Sequence, residues 1–394
     1  MVTATSLRIR IVGGSLAGLF CGALLHRAGH DVLIFERSGS DLATRGAGLV
    51  GGADLFNVLR LLRCEHVTKL AVTATSQVLV NLDGSIVSER QVGISRFSWD
   101  LLYKSARRKI PDALYVQSRR VVAVEDGKDA AKLYFEGGDT ETADVIIGAD
   151  GIASIARKSV NPVDYLNSFA GYVAWRAVIS EADLPHAILA LKEKMVAYSA
   201  PGIQSVGYLI PGRSGEIGVG LRRYNWGWYR PVKESDLPEL FTDNQGRLNH
   251  FSLPRGKLQD PARLSFAADA RRLLPPQFAE IAAATPDPWI QGIFDYAPNR
   301  ITGKRIALVG DAAFLIRPHT AMGTSKAAGD AIALTEAIAL AGTVGEALEK
   351  YAKSRLPVGQ WLAERGRDIG GSLGLSPQVS ITDDDGNFSH QRAH

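Results

Sequence analysis

Three small residues near the start of the chain, Gly13, Ser15 and Gly18, are spaced to shape a phosphate-binding turn. Such residues let the backbone turn tightly between a strand and a helix, so that amides at the helix N-terminus can hold a pyrophosphate. Ser15 takes a middle position that is usually glycine, and it adds a hydroxyl donor. Glu36 follows where a carboxylate would accept hydrogen bonds from ribose hydroxyls and repel a 2′-phosphate. The pattern predicts a site for FAD or NAD and not for NADP.

Two further motifs pair an aspartate with a glycine at the end of an apolar run. Asp150-Gly151 follows the first run, where either an ordinary turn or a carboxylate beside the dinucleotide would explain it. Gly310-Asp311 follows the second, and an acid at a strand end can accept hydrogen bonds from a polyol chain. A helix predicted from Thr324 would point its positive N-terminus at whatever lies before it, which would stabilise the negative charge of a reduced flavin.

The elements that must position these residues begin with a βαβ unit. Residues 7–12 indicate a strand, the apolar spacing after Gly18 indicates a helix ended by Gly29, and residues 31–35 indicate a second strand. Further helices are predicted at 55–62, 101–109 and 324–341, and further strands at 133–135, 145–147 and 305–309.

A β-rich region follows from about residue 171. Alternating apolar residues and Pro-Gly turns predict an antiparallel sheet with strands at 172–179, 195–199, 205–210 and 216–224. The last of these strands depends on the alternation of Ile217, Val219 and Leu221. The fold class is therefore α/β: a nucleotide-binding domain is interrupted by a β-sheet layer and completed by the C-terminal third.

Composition narrows the class of protein. The 394 residues carry a net charge of only +4 with no long basic run, which argues against a nucleic-acid partner. Two cysteines, Cys21 and Cys64, exclude a disulfide framework and fit a reducing cytosol, and no cysteine–histidine cluster has zinc spacing. The uncharged stretch 11–25 imitates a signal peptide, but it is too short to span a membrane and its glycines fit the phosphate turn better. We expect a cytoplasmic protein with no membrane partner.

The three motifs, in this order and at these separations, resemble the group A flavoprotein aromatic hydroxylases, which have the para-hydroxybenzoate hydroxylase fold. The resemblance covers roughly residues 7–370. A narrower resemblance, to the members that hydroxylate dihydroxypyridines, rests on the segments 96–100, 171–176, 208–213 and 317–319. Met322 departs from this pattern, since many relatives have another glycine there.

This resemblance implies a Rossmann-like FAD-binding domain in residues 1–70, 95–160 and 300–370, with tightly but non-covalently bound FAD. It implies an antiparallel substrate domain in 71–94 and 161–299, and a tail in 371–394. The cofactor residues it implies are Gly13, Ser15, Leu16, Ala17, Gly18, Glu36, Arg37, Arg96, Val121, Asp150, Asp311, Pro318, Gly323 and Thr324.

The implied reaction uses NADH or NADPH transiently to reduce FAD. Oxygen then adds at the flavin C4a position, and the hydroperoxide transfers OH to an electron-rich hydroxylated aromatic ring such as a dihydroxypyridine. Candidate catalytic residues are His319, Tyr208 and Tyr172, and Arg213 is a further candidate near the ring. His250 is predicted to be an ordinary loop residue.

Several alternatives stay open. They are a urate, phenol or salicylate hydroxylase of the same fold, a flavin dehydrogenase or reductase that inserts no oxygen, and a flavin- or nucleotide-binding protein without turnover. A homodimer is also left open.

Overall fold

The computed structural model describes residues 6–40, 42 and 46–376. A five-stranded parallel sheet forms its first layer, with strand order β17-β10-β1-β2-β6. These strands are β1 (Arg8–Val12), β2 (Asp31–Phe35), β6 (Tyr115–Val116), β10 (Val145–Gly148) and β17 (Ile306–Leu308). Register places Val12 opposite both Phe35 and Gly148, and Gly148 opposite Leu308. The turn at Gly13, Glu36, Asp150-Gly151 and Gly310-Asp311 therefore all lie at the same edge of the sheet.

A nine-stranded mixed sheet forms the second layer, with order β15-β16-β11-β14-β13-β12-β4-β5-β3. All of its pairings are antiparallel except β4 with β12. Its strands are β3 (Gly48–Val50), β4 (Val72–Val80), β5 (Ile86–Ser98), β11 (Ser168–Ser180), β12 (Met195–Ala200), β13 (Ile203–Ile210), β14 (Arg223–Pro231), β15 (Ser252–Leu253) and β16 (Trp289–Asp295).

A small antiparallel sheet of β7 (Val121–Glu125), β8 (Ala131–Phe135) and β9 (Thr140–Ala143) lies between β6 and β10 in the chain. The helices are α1 (Leu16–Arg27), α2 (Ala53–Leu61), α3 (His66–Lys69), α4 (Trp99–Arg107), α5 (Ala156–Val160), α6 (His186–Leu189), α7 (Leu237–Leu240), α8 (Asp260–Leu273), α9 (Pro276–Ala284), α10 (Gly323–Leu340) and α11 (Val344–Ser372).

Two separate apolar cores hold the layers together. One joins the parallel sheet to α1, α2, α10 and α11, and it includes nearly every side chain on the buried stretch of α1. The other joins the nine-stranded sheet to α8 and α9 around fully buried Trp226 and Trp228. Burial of side chains this large contributes on the order of 2–3 kcal/mol each. Each layer therefore has its own source of stability, and the groove described below runs between them.

The structure confirms the α/β class and the opening βαβ unit, and it moves most predicted element ends by one or two residues. The strand predicted at 216–224 is wrong, because β14 begins at Arg223. Ile217, Val219 and Leu221 are exposed on the connecting loop, so their alternation has no buried face behind it. Most of the predicted tail, residues 377–394, lies outside the described residues. Within the described part of the chain, no helix combines the length and apolar character that crossing a bilayer requires.

Candidate active site

A groove runs along the edge where the parallel strands end. It consists of two adjoining cavities of about 410 and 320 Å³, which share Ser15, Trp99, Ala149 and Gly151 as lining residues. We call the larger the Glu36 end and the smaller the Tyr208 end. Crevices at the carboxyl ends of parallel strands are the usual ligand sites of α/β sheets.

The turn between β1 and α1 has room only for glycine at its tightest points. Gly13 has φ +106°, and a Cβ there would lie 2.3 Å from the carbonyl oxygen of Ala149. A Cβ on Gly18 would lie 2.0 Å from the carbonyl oxygen of Gly13, so Gly18 permits the contact between helix and turn without lining the groove. Ser15 is the N-cap of α1, and its side chain makes no capping hydrogen bond. The first amides of α1 are therefore left for an anion in the groove.

Glu36 lies at the far wall of the Glu36 end and is only 7% exposed. One carboxylate oxygen accepts a hydrogen bond from the Gly14 amide at 2.9 Å, and the other accepts from the Ser38 amide at 2.8 Å. Each oxygen keeps a second lone pair for a ligand hydroxyl. Glu36 thus ties two turns together and still presents an anionic acceptor to the cavity, beside Arg37 and Val121.

Asp150 is occupied largely within its own loop. Its carboxylate accepts from the Ser154 hydroxyl and the Ile155 amide, both at 2.6 Å, and from the Ala156 amide at 3.3 Å. Burial raises the pKa of Asp150, and these hydrogen bonds oppose the rise. Asp150 therefore stabilises its own turn, and it also lines the Glu36 end.

Arg157 fastens the Asp150 loop to the Asp311 loop. It is fully buried and donates to the carbonyl oxygens of Ala312, at 2.7 Å, and of Asp311. Asp311 lines the Tyr208 end. Desolvation by the surrounding protein raises the pKa of Asp311, and the nearby Lys326 cation opposes this rise.

A buried ion-pair cluster holds the Gly310-Asp311 turn in place. Asp330 is 1% exposed, accepts from the Gly310 amide at 2.9 Å, and pairs with Lys326 at 2.8 Å and Arg355 at 2.9 Å. Lys326 also donates to the Gly310 carbonyl at 2.7 Å. Since Asp330 and Lys326 lie on α10, the cluster fixes the turn relative to the N-terminus of that helix, where Gly323 and Thr324 line the groove with Pro318.

The opposite wall of the Tyr208 end comes from the nine-stranded sheet. Arg176 of β11, Tyr208 of β13 and Tyr229 of β14 line it, together with the ring of Trp99. Burial raises the pKa of Tyr208, and the nearby Arg176 and Arg96 cations oppose that shift. This wall offers aromatic rings, phenol hydroxyls and one cation to a planar ligand.

Arg96 is predicted to contact the cofactor, but it does not line either cavity. It is 1% exposed, and none of its three guanidinium nitrogens has a hydrogen-bond partner among the described residues. Its guanidinium carbon lies 4.8 Å from the centre of the Tyr208 ring. Arg96 therefore supports Tyr208 from inside the sheet, and a cofactor contact for it stays a prediction.

His319 and Tyr172, two of the predicted catalytic residues, pack against Tyr229 and do not line the groove. His319 Nε2 lies 2.9 Å from the Tyr172 hydroxyl, and Nδ1 lies 2.9 Å from Oε1 of Gln204. Burial and the Arg317 cation lower the pKa of His319 to about 4, so the ring is neutral at pH 7. A neutral imidazole whose two nitrogens are both engaged is poorly placed to take a proton from a ligand in the groove. Arg213, also predicted near the ring, is exposed outside it.

The sequence analysis missed several lining residues, among them Arg176, Tyr229 and Trp99, and His250 at the Glu36 end. One signal for Arg176 was available, because an arginine inside an apolar strand faces the side opposite its neighbour Trp175. The positions of Tyr229 and His250 depend on register and loop path, which leave no local pattern.

Comparisons with known proteins show which family the chain is similar to. A family model described as an FAD binding domain matches residues 6–220 and 266–366, and one described as FAD binding domain-like matches residues 169–295. The chain is 30% identical to 2,6-dihydroxypyridine 3-monooxygenase of Paenarthrobacter nicotinovorans over 85% of this chain and 83% of that protein. It is 25% identical to 3-amino-4-hydroxybenzoate 2-monooxygenase of Streptomyces cremeus over 96% of this chain and 91% of that protein.

A solved structure has a similar fold over nearly the whole chain. The structure of 2,6-dihydroxypyridine-3-hydroxylase from Arthrobacter nicotinovorans superposes with a TM-score of 0.88 at 27% identity, covering 96% of both chains.

Proposed function

This chain belongs to the FAD-binding-domain family of flavin-dependent aromatic monooxygenases, and on that premise we propose that it hydroxylates an electron-rich, hydroxylated aromatic or N-heteroaromatic ring. A dihydroxypyridine is the proposed substrate, and NADH or NADPH is the proposed source of electrons. The observation that carries the proposal is the continuous groove, which joins a dinucleotide-type end to an end lined by aromatic rings.

The residues of the groove fit FAD. The turn at Gly13 is too tight for any side chain, and the uncapped amides of α1 that follow it suit the pyrophosphate. We assign the adenosine to Glu36, Arg37 and Val121, and the ribityl chain to Asp311. When bound, FAD supplies the hydride acceptance and oxygen activation that no side chain can perform.

The protein's own residues bind, orient and exclude water. We propose that the N-terminus of α10, with Pro318, Gly323 and Thr324, stabilises negative charge at the flavin end of the groove. Tyr208, which lines the groove, is the proposed residue for orienting the substrate. His319 and Tyr172 are proposed as positioning residues that hold Tyr229 against the wall.

The domain division also enters as a proposal. Residues 1–70, 95–160 and 300–370 would bind the cofactor, and 71–94 and 161–299 would bind the substrate. Strand β4 fits this division because it pairs with β12 in the nine-stranded sheet, whereas β3 of the same sheet lies in residues 1–70.

The test begins with the absorbance spectrum of the purified protein, which should show bound flavin. NADH and NADPH oxidation under air is then measured with a panel of dihydroxypyridines, hydroxybenzoates and purines, while hydroxylated product and hydrogen peroxide are quantified. Product formed in step with NAD(P)H oxidation supports the proposal. Oxidation that yields only peroxide with every compound would instead indicate a flavin reductase or oxidase.

A further inference from the structure

Arg176 is the one cation among the described residues that line the Tyr208 end of the groove. It is half-buried on β11, and Nη1 donates to Oε1 of Gln291 at 3.1 Å. A guanidinium carries five donors, so most of its hydrogen-bonding capacity is left for another partner.

Several other arginines of this sheet region pair with acids, although Arg96 on β5 is buried without a hydrogen-bond partner among the described residues. Arg223 pairs with Asp100 at 2.8 Å, Arg230 with Asp269 at 2.8 Å, and Arg222 with Glu181 at 2.7 Å. Arg176 forms no ion pair with any carboxylate in the described part of the chain. Holding a cation partly out of water without a counter-charge costs free energy. Arg176 therefore favours binding of an anion in the groove.

The chemistry of the surrounding wall narrows the class of anion. Tyr229 lies on β14, which pairs with the strand of Arg176, and Tyr208 lies on β13, the next strand along. Both rings line this end and suit a flat aromatic ligand. Asp311, the one described acid lining this end, lies on the cofactor side and would repel a ligand with several diffuse negative charges. A planar ring with a single anionic oxygen directed at Arg176 fits best.

We propose that Arg176 binds an ionised hydroxyl oxygen of the substrate, so that the hydroxylated aromatic ring is held as its anion. This assignment rests on the proposed function. The hydroxyl proton leaves to bulk solvent when the anion forms, and the oxygen lone pair then raises electron density on the ring carbons ortho and para to it. Those are the carbons that an electrophilic OH transfer requires to be electron-rich.

The test measures ligand binding to the FAD-loaded protein through the change in flavin absorbance. The probes are 2,6-dihydroxypyridine and its methyl ether, 2,6-dimethoxypyridine, which cannot ionise. Arg176→Met should weaken binding of the dihydroxypyridine by about tenfold or more, the size expected for losing a hydrogen bond to a charged group. The dimethoxypyridine Kd should stay within about twofold in the same variant, and Arg176→Lys should restore part of the discrimination.

A matched control is available on the same sheet. Arg90 is exposed on β5 and donates to Oε1 of Gln77 at 3.0 Å, the same kind of partner that Arg176 has. Arg90→Met should leave both dissociation constants unchanged. If Arg176→Met loses FAD, Arg176→Gln replaces it, because glutamine removes the charge and keeps a polar group beside Gln291.

The outcomes separate two failures. If the wild-type protein binds dihydroxypyridine and the neutral Arg176 variants bind it equally well, the assignment of Arg176 is overturned while the proposed function stands. If the wild-type protein binds neither this probe nor any hydroxybenzoate or purine of the panel, the proposed function fails and takes the assignment with it.

Discussion

The two ends of the groove are built in different ways. At the Glu36 end, the two carboxylates are held by turns at the strand ends: Glu36 by the Gly14 and Ser38 amides, and Asp150 by its own loop. At the Tyr208 end, the wall is made of side chains from three strands, and Arg176 and Tyr229 are separated by more than fifty residues of chain.

Backbone geometry therefore constrains the Glu36 end, whereas side chains determine the Tyr208 end. A pyrophosphate is recognised by amides at a helix N-terminus, so the Glu36 end requires a particular turn and tolerates little else. A substrate ring is recognised by whichever side chains the sheet register presents, so the Tyr208 end can change with single substitutions. The Gly310-Asp311 turn, which Asp330 supports, lines the Tyr208 end, and Arg157 joins its loop to the Asp150 loop of the Glu36 end.

The largest effect is expected from the ion-pair cluster that supports the Gly310-Asp311 turn. Asp330→Asn would leave Lys326 and Arg355 as buried or partly buried cations without their shared counter-charge. Removing one partner of a buried ion pair typically costs about 3–5 kcal/mol. We expect the free energy of unfolding, measured by urea denaturation, to fall by that order, with flavin content and ligand affinity both reduced.

Asp260→Asn is the matched control, because Asp260 pairs with Arg263 on an exposed face of α8. Exposed pairs contribute about 0–1 kcal/mol, so this variant should differ little from wild type. Equal stability losses in the two variants would show that the cluster under Gly310 has no special role.

An intermediate effect should be confined to the Glu36 end. Glu36→Ala removes the acceptor for two backbone amides and for the proposed ribose hydroxyls, and hydrogen bonds to a charged group contribute about 1.5–3 kcal/mol. The purified variant should therefore retain less FAD after dialysis than Glu336→Ala, a control on the exposed side of α10. Full flavin occupancy in Glu36→Ala would show that Glu36 does not bind the cofactor, and the proposed difference between the two ends would lose its support.

The smallest effect concerns the layer behind the Tyr208 end. Burial lowers the pKa of His319 to about 4, whereas an unfolded histidine has its ordinary value near 6.5. The unfolded state therefore binds more protons between these values, so the contribution of His319 to stability is complete above about pH 6.5 and is lost as pH falls toward 4. Thermal unfolding of His319→Asn should depend less on pH in this window than unfolding of wild type.

Turnover of the same variant tests the catalytic role predicted from sequence. A general base would lose about 10²-fold or more in hydroxylation rate at neutral pH on substitution. The geometry instead predicts a modest loss with an unchanged pH profile between pH 6 and 8, because both ring nitrogens are engaged and the ring does not line the groove. A loss of 10²-fold that shrinks as pH rises would restore His319 as the base.

The sequence alone determined the fold class, the family resemblance and several lining residues of the Glu36 end, among them Gly13, Glu36 and Asp150. Gly13 and Glu36 directly follow parallel strands, and Asp311 follows one after two further residues. The carboxyl ends of parallel strands meet at one edge whatever the rest of the chain does. Local pattern was enough there because the chemistry depends on the turn that follows each strand. The comparisons confirm the resemblance that these motifs indicated.

Local pattern failed where burial decides the outcome. The alternation at Ile217, Val219 and Leu221 satisfies the period of a strand, but a strand also needs a partner and a covered face, and this loop has neither. His319 has the right intrinsic pKa for a base, but its desolvation and its bonds to Tyr172 and Gln204 are properties of the packed interior.

Only the tertiary structure assembled the Tyr208 end. Register pairs β11 with β14 and β14 with β13, and this places Arg176, Tyr229 and Tyr208 on one face while Trp175 and Arg230 face the other. A shift of one residue in any of these strands would exchange the two faces, because side chains alternate along a strand. Register is fixed by packing of the whole sheet against its helices, and so the substrate wall is a property of the folded sheet and not of any one segment.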